Sequence, residues 1–494
     1  MVQSWIPEAL TRAWDRRVEV LLLGLFTIAA VLVHGYHPFA EDAEIYLPGV
    51  EKILHPGLFP AGTEFFESHA HLTLFPNLIA LCVWATHLPL SVVLFLWYCG
   101  SIFLLLLACW KLSGKCFTSR TARWAGVALV ASLLTLPVAG TALYIMDQYT
   151  NPRNVAAFAE VLAVSCTLEK KYLGAALWLA FAALVHPLMS VFAVSLCVLL
   201  VLPEFDFKLG TSALLYPLGF LFRPTSQAYH EAVRYHSYFY LREWKWYGWL
   251  GILAPVALLW WFGHIGRARR LDALGRLCRT LIVYDLVFLG AALVISIPQK
   301  FEVLARLEPM RSLYLLYVLM FLIGGGFMGE YVLKGRIWRW LVLFAPLCVS
   351  MFLVQRVLFP ASRHIEWPWS APKNPWAQAF LWVRGNTPVD ARFAVDPDYM
   401  HIPGEDQIGF RALAERGRLA DVAKDSGAVS MFPPLANQWL DQVQAQQGWR
   451  TFNRQDFERL HANYGTSWVV LQRPAPSGLD CPYENSVVTV CHLR

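Results

Sequence analysis

Twelve apolar runs recur through the first 360 residues, at lengths that call for lipid as the solvent. They are Val18–Val33, Leu72–Ala85, Leu90–Trp110, Trp124–Leu143, Val155–Leu168, Tyr172–Val185, Leu188–Leu202, Ser212–Phe222, Trp246–Phe262, Leu281–Ile297, Ser312–Phe327 and Trp338–Leu358. A helix needs about 20 apolar residues to cross the hydrocarbon core, with a range of about 17–25. Inside lipid every backbone N–H and C=O must be paired within the protein, so runs of this length read as helices. The expected fold is a polytopic α-helical membrane protein with about 11–13 membrane helices, the shorter ones tilted or re-entrant. Composition agrees: 57% of residues are hydrophobic and 15% charged, against roughly 45–50% and 25% in soluble domains.

The basic residues sit in short loops and act as topology signals. These loops are Lys111–Arg123, Glu169–Lys171, Gly266–Arg279 and Lys334–Arg339. Positive loops face the cytoplasm. Arg12, Arg16 and Arg17 precede the first run, and no small-x-small cleavage site follows, so the N-terminus is expected to be cytoplasmic and the run a membrane helix. Four segments are then external: Tyr36–His71, Tyr144–Asn154, Arg223–Lys245 and Pro298–Arg311. Parity works only if Leu72–Ala85 fails to cross. The expected location is a bacterial inner (plasma) membrane, with residues 1–360 as the spanning part and 370–494 as an external, periplasmic α/β domain. In that domain helices are expected at Trp376–Arg384 and Phe410–Arg416, and strands at Arg392–Val395, Ser467–Gln472 and Ser486–Val490. Cys481 and Cys491 flank the last strand and are candidates for a disulfide, or for two free thiols. The modest net charge of +6, dispersed over loops, gives no nucleic-acid surface.

Chemistry is expected where ionisable groups collect at the membrane boundary. The loop 36–71 carries Glu41, Asp42, Glu44, Glu51, Glu64 and Glu67 against a single basic residue, Lys52. Its segment Ala43–Leu54 reads as an amphipathic helix lying on the surface. Carboxylates at such a depth are costly unless they line a polar cavity; a solvated acidic loop is the plainer reading. A second patch holds Asp147 and Arg153. A third holds Lys300, Arg306 and Arg311, basic groups that need an anionic partner such as a lipid phosphate or the neighbouring Glu302 and Glu308. His186, before Pro187 in an interrupted run, and Arg234 and His236, in an aromatic basic loop, are further candidate substrate contacts. No GxxxxGK(S/T) motif, nucleophile elbow or Cys/His metal spacing is present.

The order of parts resembles the GT-C superfamily of membrane glycosyltransferases, which use polyprenyl-phosphate-linked sugars. Phe39-Ala40-Glu41-Asp42-Ala43-Glu44-Ile45-Tyr46 is similar to the opening of that superfamily's first external loop, and Asp147 to Arg153 to its second acidic loop. The resemblance implies a carboxylate, Asp42 first and Glu41 second, acting as general base or orienting the acceptor, with Tyr46 nearby. It implies cations, Lys300, Arg306 and Arg311, on the donor phosphate, and inversion by single displacement. Some members hold a divalent cation, Mg or Mn, between the two acidic loops; here Asp42 and Asp147 would be its ligands. The implied partners are a polyprenyl-phosphate-linked sugar and membrane lipids. The Trp-Trp-Asp signature of oligosaccharyltransferases is absent, which argues against protein N-glycosylation. Two other classes compete: a lipid or glycolipid transporter, which would show polar groups at mid-bilayer, and a non-catalytic assembly subunit, which would lack an enclosed polar cavity.

Overall fold

The computed structural model describes residues 8–202, 225–296 and 302–493. Ten of the twelve apolar runs are helical over most of their length; Trp124–Leu143 is helical only as far as Ser132, and Ser212–Phe222 lies outside the described residues. The chain opens with α1 (Glu8–His34), then a loop carrying α2 (Ala43–Leu54) and α3 (Glu64–Ala70). There follow α4 (Phe75–Thr86), α5 (Leu90–Cys116), α6 (Arg120–Ser132), α7 (Pro152–Leu168), α8 (Tyr172–Val185) and α9 (Pro187–Val201). After α10 (Gln227–Arg234) come α11 (Trp246–Ala268), α12 (Asp272–Ser296), the single turn α13 (Glu302–Ala305), α14 (Leu313–Met328) and α15 (Ile337–Leu358).

Among the described residues six helices are long and apolar enough to cross a bilayer: α1 from Arg16, α5, α11, α12, the stretch Pro309–Leu333 around α14, and α15. The remaining apolar helices are shorter and complete the bundle by packing on these. α7 is buried along nearly its whole length, with α5 and α8 on either side. α15 instead turns Leu341, Val342, Val349 and Val357 outward, the apolar surface expected of a lipid-facing helix. α6 and α14 approach closely through small residues. A side chain at Gly126 would lie 2.5 Å from the Leu322 carbonyl, and one at Gly325 2.6 Å from that of Ala125, the small-residue packing that replaces hydrophobic drive in lipid.

At 12 residues α4 rises about 18 Å, short of a hydrocarbon core of about 30 Å. α5 begins beside the same loops that α1 ends in: the Thr150 hydroxyl donates to the Leu94 carbonyl at 2.7 Å, and Tyr98 to Gly35 at 2.8 Å. The run Trp124–Leu143 is shorter as a helix than its apolarity suggests. α6 stops at Ser132, and the chain then turns through Pro137 with left-handed Ala139 and Ala142. Basic loops gather at the opposite end of the bundle, where Lys115 pairs with Glu169 and Arg276 donates to the Leu168 carbonyl at 3.2 Å.

The C-terminal part is a five-stranded sheet clad in helices. Its elements are α16 (Pro375–Asn386), β1 (Arg392–Val395), α17 (Phe410–Ala414), β2 (Gly417–Arg418), α18 (Asp425–Met431), α19 (Ala436–Ala445), α20 (Arg454–Tyr464), β3 (Trp468–Gln472), β4 (Asp480–Glu484) and β5 (Val488–His492). Strand order is β2-β1-β3-β5-β4, with β1 parallel to β2 and β3, and the β3–β5 and β5–β4 pairs antiparallel. Both faces are covered. Along β3 the alternation of a strand sends Val470 into a core with Phe393, Phe410 and Val490, and Val469 and Leu471 into another with Phe457 and Leu460. Cys481 and Cys491 form a disulfide joining β4 to β5.

This part sits directly on the first loop. Tyr36 N–H donates to the His364 carbonyl at 3.0 Å, Gly409 N–H to that of Phe39 at 2.7 Å, and Glu41 N–H to that of Gln407 at 2.8 Å. The expectation of a surface-lying α2 is therefore corrected. The helix forms at the expected residues, but Ala43 to Glu51 are almost all buried, because α17 covers the side that the membrane helices leave open.

Candidate active site

The second loop is shaped by its own asparagines. Asn151 caps α7 by accepting from Asn154 N–H at 2.9 Å, and Pro152 occupies the first turn, where its missing N–H costs nothing. Asn154 Nδ2 donates to the carbonyls of Asp147 and Tyr149 at 3.0 and 2.9 Å. The buried Asp147 carboxylate so positioned accepts from Asn151 at 2.5 Å and pairs with Arg153. The first loop is tied to this one: His37 N–H donates to the Gln148 carbonyl at 2.7 Å, and Asp42 N–H to the Tyr149 hydroxyl at 3.3 Å.

Two cavities flank Asp42. The first, of about 450 Å³, is polar and is lined by Glu41, Asp42, Asp147, Gln148, Arg153, His236, Arg311, His401, Glu405 and Lys424 among others. The second, of about 380 Å³, is a mainly apolar groove, lined by Tyr46, His69, Leu72, Thr73, Val185, His186, Pro187, Leu188 and Val191. Leu72 and Val191 are exposed, so the groove opens on the apolar outside of the bundle. Asp42, Ile45, Arg153, Tyr238, Arg311 and Gly427 line both cavities. The site is thus a polar chamber and an apolar groove meeting at one carboxylate and two guanidinium groups.

Glu41 and Asp42 share one cation. Lys424 Nζ lies 2.5 Å from Glu41 Oε2 and 2.9 Å from Asp42 Oδ1. Glu41 takes a left-handed backbone, φ 55°, a strained choice for a residue with a side chain, and the Gln407 side-chain amide lies 2.8 and 2.9 Å from its two oxygens. Burial pushes the Asp42 carboxyl up, but Lys424, then Arg153, pull it down by more, and it ends well below the ordinary carboxylate range. Lys424 is driven the other way by the same pairing, above the ordinary lysine range despite its burial.

Beneath this pair lies a fully buried ionic network. Glu44 accepts from Arg418 Nε at 2.8 Å, Arg411 Nη1 at 3.2 Å and Arg411 N–H at 2.7 Å. Arg411 reaches Asp425 through two bonds of 2.9 and 2.8 Å, and Arg418 pairs with Asp421. The Asp421 carboxylate accepts Lys424 N–H at 2.7 Å and Asp425 N–H at 2.8 Å, which fixes the turn presenting the lysine.

Glu41, Asp42, Asp147, Arg153, Arg311 and His236, all singled out in the sequence, converge on the polar chamber, and Tyr46 and His186 line the groove. Arg311 pairs with Glu308 while its guanidinium lies 5.9 Å from the Tyr238 ring centre. Two expectations are corrected. Arg234 lines neither cavity: α10 buries Ala228, Tyr229, Ala232 and Val233, so Arg234 points outward and pairs with Glu231 at 3.4 Å. Arg306 is spent between α13 and α18, donating to the Met431 carbonyl at 3.4 Å. Lys300 lies outside the described residues. Lys424 and Gln407 were not expected; Tyr238 lies in the aromatic basic loop already singled out around His236. Nothing in local spacing marks Lys424 or Gln407.

His69 and His236 are both pushed down to about 4, chiefly by burial. The folded chain therefore keeps them neutral where an unfolded one takes up protons, below about 6.5. Their contribution to stability is complete above about 6.5 and is lost as pH falls towards 4, by about 2 kcal/mol each at pH 5. The wild type is expected to lose more melting temperature between pH 7.5 and pH 5 than a His69→Gln, His236→Gln double variant. Equal losses would show that neither imidazole takes up a proton on unfolding.

The sequence matches no protein-family model and no curated protein. Solved structures do match. The oligosaccharyltransferase of Archaeoglobus fulgidus in its apo form aligns with a TM-score of 0.50 at 13% identity, over 95% of this chain and 70% of that one. The archaeal oligosaccharyltransferase AglB from Archaeoglobus fulgidus, in complex with an inhibitory peptide and a dolichol-phosphate, aligns at 0.48 and 12% identity, over 93% and 70%. The chain shares the fold of the Archaeoglobus fulgidus oligosaccharyltransferase.

Proposed function

We propose that the protein is an inverting membrane glycosyltransferase, moving a sugar from a polyprenyl-phosphate carrier to a lipid, glycan or protein acceptor on the external leaflet. The observation that carries this reading is the meeting of the apolar groove and the polar chamber at Asp42, Arg153 and Arg311. A polyprenyl chain suits the groove by its apolar lining, and its phosphate suits the guanidinium groups at the groove's inner end, since arginine binds phosphate through a planar fork. The acceptor occupies the chamber. The GT-C fold supports the class of reaction and leaves sugar and acceptor open.

In this reading the acceptor hydroxyl oxygen attacks the anomeric carbon from the chamber side as the bond from that carbon to the phosphate oxygen breaks. One displacement inverts the centre. Arg153 and Arg311 stabilise the negative charge growing on the departing phosphate. Asp42, ionised and weakly basic, accepts a hydrogen bond from the attacking hydroxyl and faces the positive charge developing on the sugar. The proton ends on the released phosphate monoester, whose second pKa, about 6, exceeds that of Asp42. The positive loops at the opposite end of the bundle support a cytoplasmic N-terminus with the sheet outside, in a bacterial inner membrane by this reading.

The test is transfer of labelled sugar from polyprenyl-phosphate donors to an envelope lipid and glycan fraction by the full-length protein in nanodiscs. Transfer with inverted anomeric configuration is expected. A folded protein that transfers nothing from any such donor, while moving a labelled polyprenyl-phosphate sugar between leaflets, would establish the transporter reading instead.

A further inference from the structure

We infer that the Lys424 ammonium is the resident cation of the first-loop carboxylates and takes the place that a divalent metal would fill between the acidic loops. The inference rests on the reading of Asp42 as the carboxylate at the reacting centre. A hard divalent ion takes six or more oxygen ligands, with distances of about 2.0–2.6 Å. Here the nitrogen of Lys424 already bridges Glu41 and Asp42, at 2.5 and 2.9 Å. Asp147, the carboxylate of the second acidic loop, is taken by Arg153 and by Asn151 at 2.5 Å. The donor set a metal needs is thus already neutralised by cations of the chain itself.

The lysine is built in. It is 13% exposed, and its backbone is pinned by the Asp421 carboxylate at 2.7 Å within the buried arginine network. An ammonium ion on a fixed turn resembles a bound metal in holding two carboxylates in one orientation. It differs in charge: Glu41, Asp42 and Lys424 together carry one net negative charge, whereas a divalent ion would leave the pair neutral. The negative charge facing the developing positive centre is therefore retained. Lys424 acts as a positioning residue for Asp42.

The experiment is Mn²⁺ binding to the EDTA-washed full-length protein in nanodiscs, followed by loss of the free-ion electron paramagnetic resonance signal, with melting temperature read in parallel. No transfer step enters, so the result stands apart from the fate of the glycosyltransferase reading. The wild type and Lys424→Arg are expected to bind no stoichiometric Mn²⁺ up to about 1 mM. Lys424→Met, or Lys424→Gln where the former does not fold, is expected to gain one Mn²⁺ at least about tenfold tighter than the wild type's limit. That ion should be lost again on adding Asp42→Asn. One equivalent bound by the wild type and removed by Asp42→Asn would overturn the inference. A folded Lys424→Gln protein that binds no more Mn²⁺ than the wild type would overturn it as well.

Discussion

Asp42→Asn is expected to lower kcat by about 10²–10³-fold while leaving donor KM nearly unchanged. The substitution keeps the shape and one hydrogen-bond acceptor but removes the charge facing the anomeric carbon. In the proposed reaction the groove takes the carrier through apolar surface and through Arg153 and Arg311, so ground-state donor binding is expected to be largely independent of Asp42. Steady-state kinetics with a purified donor separates the two parameters. A kcat within about threefold of wild type would remove Asp42 from the reaction. Glu41→Gln, whose carboxylate meets Lys424 and the Gln407 amide, is the comparison that separates the charge at Asp42 from the charge of the loop as a whole.

Glu44→Ala is expected to destabilise the protein by about 3–5 kcal/mol, the cost of leaving buried charges without their partner. Glu44, Arg411 and Arg418 have no exposed side-chain surface, so solvent screening offers no relief. Removing the glutamate leaves Arg418 with Asp421 alone and takes away the acceptor of the Arg411 N–H. The effect should concentrate at the seam between α2 and α17. Hydrogen exchange of Phe410 to Ala414 should rise together with that of Ala43 to Val50, while α5 and α14 stay protected. Uniform loosening of the whole chain, or no loosening at the seam, would show that the network does not hold these parts together. A Glu44→Gln variant, keeping the hydrogen bonds but not the charge, should fall between the two.

The sequence made different layers of this structure legible to different degrees. Long apolar runs gave the helices because the bilayer sets their length, and Asn374 with Pro375 announced α16, since a cap and a first-turn proline are local features. β1 was readable from Arg392 to Val395, ending at Asp396-Pro397. β2 and β4 were not. The two residues of β2 are a strand only because β1 lies beside them, and β4 carries Pro482 and little β-branched character, as befits an edge. Glu41, Asp42, Asp147, Arg153 and Arg311 could be picked out because acidic and basic groups at the ends of membrane helices are scarce. Lys424 could not. It lies 382 residues along the chain from Asp42, in a polar stretch where lysine is unremarkable. The depth of α2 was hidden for a related reason: its apolar face is visible in the sequence, but the lid over its acidic face comes from another part of the chain.

That distance between α2 and its partners sets an order of events during synthesis. The first loop emerges early, carrying Glu44 and Asp42 without the arginines and the lysine that later neutralise them. Until residues 411–425 arrive, Glu44 has no guanidinium partner, and desolvating it alone is prohibitive. α2 must therefore wait, hydrated and out of place, while the membrane helices insert around it. The chamber closes last, when the end of the chain folds back over its beginning. A chain clipped before residue 411 would lack Lys424 and the arginines that hold Glu41, Asp42 and Glu44, and with them Gly427, which lines both cavities.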